Sequence, residues 1–136
     1  MAYTIKKAPH IQDEVTIQDG EKTLVLSVNL YVDDVMAEID ATRAKLGQAQ
    51  ARIRELRKES VEENEIAAAY AELSRATIAL FQLIFGQEQT EQLVAFYDDR
   101  VAAALADLVP YLTEVILPAI KAAQADLAKR YTEWNR

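Results

Sequence analysis

The chain has no cysteine among its 136 residues. Disulfide scaffolds, thiol nucleophiles and zinc–thiolate centres are therefore excluded, and the composition suits a reducing cytosol. Histidine is reduced to His10 alone. That removes the two-histidine di-iron bundle and leaves no imidazole in a helical segment to activate Ser27, Ser60 or Ser74. With three glycines in the whole chain, no glycine pattern cradles a phosphate. The adjacent acid pairs Asp33–Asp34, Glu62–Glu63 and Asp98–Asp99 diverge on a helix and do not converge on one metal. The reading is a chain with no enzymatic activity, no cofactor and no metal site.

Positive charge is also short: 15 basic residues face 22 acidic ones, a formal charge of −7. Bulk charge thus opposes nonspecific binding to nucleic acid or anionic membrane. No segment reaches the ~20 uncharged apolar residues of a membrane span. The opening MAYTIKKAPHIQDEV lacks the continuous apolar core of a secretory signal, so the chain is expected to stay in the cytoplasm where it is made.

What is present is helix-forming. Hydrophobic residues make up 51% of the chain but aromatics only 7%, alanine is abundant, and glycine and proline contribute three each. The predicted fold is mainly α with a small β-hairpin, an α+β chain. A flexible arm at 1–13 precedes one domain at 14–136, large enough to bury roughly two thirds of its unfolded surface. Val15 and Ile17, then Leu24, Leu26, Val28 and Leu30, alternate with polar residues around Asp19–Gly20, which predicts a hairpin over 14–30. Two strands are marginal alone, so the hairpin must cap the helices or pair with another chain.

From Val32 the period changes to seven. Val32, Ile39, Leu46 and Ile53 form one row, with Val35, Thr42, Ala49 and Leu56 three residues on, predicting a long helix over 32–59 with a coiled-coil seam. Asp33 and Asp34 supply its cap and acidic first turn. Gly47 in mid-helix points to close packing or a bend. Ser60 and Glu63 have capping-box spacing, so a second helix, 61–85, returns antiparallel. Gly86 ends it in a left-handed conformation, and Phe81, Phe85 and Phe96 gather at this corner. A third helix runs 88–109, broken near Val109–Pro110, and a fourth 111–134, kinked at Pro118. Its stripe includes Val115, Ile116, Ile120, Leu127, Tyr131 and Trp134.

Charge is segregated along this plan. Residues 43–58 carry Arg43, Lys45, Arg52, Arg54, Arg57 and Lys58 against Glu55, while 61–99 carry eight acids against Arg75. Mutual neutralisation across the helical hairpin is the first reading, and a basic tip for phosphates or an acidic partner the second. The seam residues Val32, Ile39, Leu46, Ile53 and Leu56, with Tyr97, Val101 and Leu105, are the candidate partner-binding positions.

Leu80, Phe85, Gly86, Glu88, Gln89, Thr90, Glu91, Leu93, Phe96, Tyr97 and Asp99, continuing through Val109–Pro110–Tyr111 and Ile116–Leu117–Pro118 to Lys121, resemble the small tail assembly chaperones of long-tailed bacteriophages. About 40 residues are covered, none of them a catalytic signature. The resemblance implies a chaperone in the bacterial host cytoplasm that coats the helical tape-measure protein and hands it to the tail-tube protein. It also implies absence from the finished virion, while the amphipathic helices and the hairpin edge point to a homo-oligomer. The alternatives are an oligomeric coiled-coil structural or accessory component of a phage particle and, lower, a helical DNA-binding regulator.

Overall fold

The computed structural model describes residues 2–7, 10–59 and 62–134. The expected fold class holds: a two-stranded antiparallel hairpin followed by helices. The element order is β1 (Ile11–Asp19), β2 (Lys22–Leu30), α1 (Val32–Lys58), α2 (Glu63–Phe85), α3 (Gln87–Phe96), α4 (Val101–Tyr111) and α5 (Leu117–Trp134), with a π-helical turn at Leu112–Ile116 joining the last two.

The hairpin is longer than its alternation predicts. Ile11 pairs with Leu30 and Asp19 with Lys22, and Gly20, at φ +61, takes the first place of the two-residue turn. The polar run Gln12–Asp13–Glu14 hides the first half of β1 from a hydrophobic pattern. The arm therefore ends at residue 10, short of 13. Leu26, Val28, Leu30 and Ile11 lie on the inner face and are buried against the helices. The hairpin caps the helical core, the first of the two roles its length permits.

Helix α1 runs unbroken for 27 residues, about 40 Å at 1.5 Å per residue. Its N-cap is Tyr31, with no side-chain capping bond, and Asp33 sits in the first turn; the predicted aspartate cap is corrected. Gly47 neither bends the helix nor lets a neighbour approach, for nothing lies within 4 Å of where its Cβ would stand. The proposed capping box at Ser60–Val61 lies outside the described residues, as do Pro9, Arg136 and the side chains of Asp34 and Trp134. Helix α2 returns along α1 as predicted.

At the corner, Gly86 adopts φ 83 and ψ 166. This is a region open almost only to glycine, but it is extended, so the predicted left-handed cap is replaced by a sharper one-residue joint. The Gly86 carbonyl at once accepts from the Thr90 N–H (3.1 Å) and hydroxyl (2.7 Å), so α3 starts without a linker. Phe81 and Phe85 are buried with ring centroids 6.2 Å apart, while Phe96 is half-buried.

The break expected at Pro110 falls instead at Tyr97–Arg100. Asp98 (φ 53) and Asp99 (φ 65) are both left-handed, which aspartate tolerates, and the Asp99 N–H closes α3 on the Val94 carbonyl at 3.0 Å. Pro110 lies inside α4 and Pro118 inside α5. Pro110, Pro118 and the unpartnered side of the helix around Ala106 face solvent, where water can take a freed carbonyl. The π-turn between the prolines, closed by the Leu117 N–H on the Leu112 carbonyl, shifts the buried stripe to Leu112, Ile116, Ile120 and Ala123. Val115 and Tyr131, assigned to that stripe by spacing, face solvent instead. The helix from Val101 to Glu133 is long and apolar enough to span a membrane by length and composition, and here that stripe packs into the core.

Buried residues form two clusters. The main one joins the inner hairpin face to Val32 and Ile39 of α1, the end of α2, and α3 to α5. A satellite of Ala49, Ile53, Leu56, Ala69 and Leu73 holds the far end of α1 against α2.

Candidate helix-binding groove

An apolar groove opens where α1 and the α4–α5 segment flank the end of α2. Leu80 and Ile84 of α2 face its floor. Leu105, Val109, Leu112, Thr113, Ile116 and Leu117 form one wall, and Arg43, Leu46, Gly47 and Gln50 the other. It encloses about 320 Å³. Val109, 41% exposed, forms the lip. Polar groups are confined to the rim, with the Thr113 hydroxyl already donating to the Val109 carbonyl at 2.8 Å.

The local sequence explains the shape. The π-turn adds a residue to its turn, so Val109 and the half-buried Leu117 extend the apolar arc beside Leu112 and Ile116, which the core already buries. Gly47, bare and exposed, keeps the opposite wall open. The result is a trough with an aliphatic floor and α4–α5 wall, faced by Leu46 and Gly47 between Arg43 and Gln50, a shape that accepts the apolar face of an amphipathic helix.

Two other clefts differ in kind. One, about 620 Å³, runs between α1 and α2 and is rimmed by Lys45, Arg52, Glu72 and Arg75 over Ala49, Ala76 and Ala79. Its charged, small-residue lining offers little apolar surface to grip. The other, about 520 Å³, lies between β1 and the α3–α4 corner. There Tyr97 donates to Asp107 (2.7 Å), and nearby Tyr111 donates to Asp13 (2.6 Å). Burial, then the aspartate partner, pushes the Tyr97 phenol up to about 12, and the same causes raise Tyr111.

The expected neutralisation of α1 by α2 is not realised among the described residues. Their ion pair is Arg130–Asp126 at 2.8 Å within α5. Arg57 instead bonds the Tyr70 hydroxyl and lies over its ring. Glu63 and Glu65 lie in the first turn of α2, and Glu72 shares the α1–α2 cleft with Lys45 and Arg52 without forming an ion pair. No group of three or more His, Asp or Glu gathers among the described residues.

Of the positions singled out by sequence, the structure brings Leu46 and Leu105 to the groove. Val32, Ile39, Ile53, Leu56 and Val101 are buried within the chain itself, because α2 and the hairpin fill the heptad seam. That seam is an intramolecular interface, which corrects the expectation of an open one. Tyr97 belongs to the cleft beside β1. The groove residues that sequence reasoning missed are Gly47, Val109, Leu112, Ile116 and Leu117. The available signal was the surplus of apolar residues between Leu105 and Ile120, more than one core stripe can use.

Comparison of the chain with family models, with curated proteins and with solved structures finds no match.

Proposed function

We propose that this chain is a non-enzymatic assembly chaperone that holds an apolar-striped helical client in the groove between α1 and α4–α5. The observation that carries the reading is the groove itself, aliphatic on its floor and its α4–α5 wall, with Val109 exposed at its lip. An apolar opening between helices is the kind of surface that the apolar face of an amphipathic helix covers. The resemblance of residues 80–121 to phage tail assembly chaperones supplies the client class: a tape-measure protein, passed on to a tail-tube protein in the host cytoplasm. A coiled-coil structural component is the weaker reading, since the α1 heptad row is occupied by α2. A DNA-binding regulator stands third, against the net charge of −7.

Co-expression with the long helical tape-measure protein tests this. The client becomes soluble and co-elutes with the chain, and Gly47→Leu, which fills the groove from an exposed position, abolishes the capture without lowering the thermal midpoint. An insoluble client with the unaltered chain, or capture undiminished in Gly47→Leu, overturns it.

A further inference from the structure

The two edges of the hairpin are treated differently. On β2, the Ser27 N–H donates to Gln89 Oε1 (2.7 Å) and the Ser27 carbonyl accepts from Gln89 Nε2 (2.8 Å). That amide, which also donates to the Phe85 carbonyl at 2.7 Å, occupies the outer side of β2 as a neighbouring strand would. Because Ser27 points outward, its partner Glu14 does too, and by alternation so do Gln12, Thr16 and Gln18. Among the described residues nothing bonds the outward N–H or C=O groups of these four. Beside them runs the cleft walled by Tyr97, Leu108 and Tyr111. An open, unblunted edge of this kind is a template for one more strand.

The same chain carries a segment that suits it. In the arm, Tyr3 and Ile5 are 90% and 81% exposed and alternate with Thr4 and Lys6, a strand pattern with its apolar side in water. The arm leaves the body beside Tyr31 and Arg130: Lys7 lies 5.3 Å over the Tyr31 ring, and Arg130 donates to the Lys6 carbonyl at 3.1 Å. It does not turn back along its own β1. Its charges, Lys6 and Lys7, are opposite in sign to Asp13, Glu14 and Asp19 on β1 and to Asp107 across the cleft.

We infer that the arm of one copy adds as a third strand to the β1 edge of a second copy, seating Tyr3 and Ile5 in the cleft by Tyr97 and Tyr111. Pairing of β1 with β1 of another copy is disfavoured, because it would set acids against acids. This assembly does not depend on the client reading, since it uses the opposite side of the α4–α5 segment from the groove.

Light scattering on the full chain, with hydrogen exchange at the Thr16 and Gln18 amides, tests it. The unaltered chain forms an oligomer whose mass grows with concentration, and both amides are protected. Ile5→Asp, at a position 81% exposed, gives a monomer with exposed amides and an unchanged thermal midpoint. Thr16→Pro removes an outward N–H without removing a hairpin bond, and it gives the same monomer. A monomeric unaltered chain, protected amides in a monomer, or an oligomer that survives Ile5→Asp would each overturn the inference.

Discussion

Phe81 and Phe85 hold the corner between α2 and α3, buried where the hairpin, α2 and α3 meet. Replacing Phe85 with alanine opens a cavity there and is expected to lower unfolding free energy by about 3 to 5 kcal/mol in denaturant titration. A loss under about 1 kcal/mol would mean that the corner is not part of the cooperative core. The phenylalanines were legible from their concentration within residues 81–96. Gln89 was not: its amide bonds the Phe85 carbonyl four positions back and the Ser27 backbone 62 positions away, and no local pattern marks such a long-range bond. Tyr97 was read as a partner-binding position and Tyr111 only as part of a resemblance, yet each hydroxyl finds an aspartate. The Tyr97 phenol is raised in the folded state from 10.0 to about 12, so its contribution is complete below pH 10 and is lost as pH rises towards about 12. The midpoint of denaturation should fall between these values, and Tyr97→Phe should flatten that fall. An identical alkaline loss in the variant would remove Tyr97 from the account.

At the scale of elements, helix existence was written in periodicity and helix ends were not. The heptad rows mark α1 and the three- and four-residue steps mark α2, because burial against a single neighbour imposes that spacing. The joint at Asp98–Asp99 escaped because aspartate signals a cap, a turn or a solvated face with equal ease, and only its positive φ separates them. The prolines misled in the opposite direction. Pro110 was expected to break the helix and Pro118 to kink it, but both stand on its wet side, and a π-turn between them absorbs the change in register. Two predictions belong here. Asp99→Gly relieves a left-handed residue and should raise stability by about 0.5 to 1 kcal/mol in chemical denaturation; a lower stability would mean that the carboxylate is needed at that joint. Gly47→Ala, with nothing within 4 Å of the new Cβ, should stabilise by up to ~1 kcal/mol, and a destabilised variant would show that α1 needs its glycine for folding.

Across the whole molecule, the same apolar inventory serves two ends. Most of it closes the main core and the satellite under the α1–α2 tip, and on α4–α5 Val109 and Leu117 carry it outward to the groove beside the buried Leu105, Leu112 and Ile116. The fold class, the hairpin and the antiparallel helices were legible from composition and period. The groove was not, since it exists only where three helices that are distant in sequence diverge, and the heptad seam that looked open is closed by the chain's own α2. The measurement closest to the central claim is a methyl NMR titration with a synthetic amphipathic helix of about 20 residues, some 30 Å long. Shifts should concentrate on Leu46, Leu105, Val109, Leu112 and Ile116 and vanish in Gly47→Leu. Shifts gathered instead on Ile53, Leu56 and Leu73, or none at all, would contradict the account.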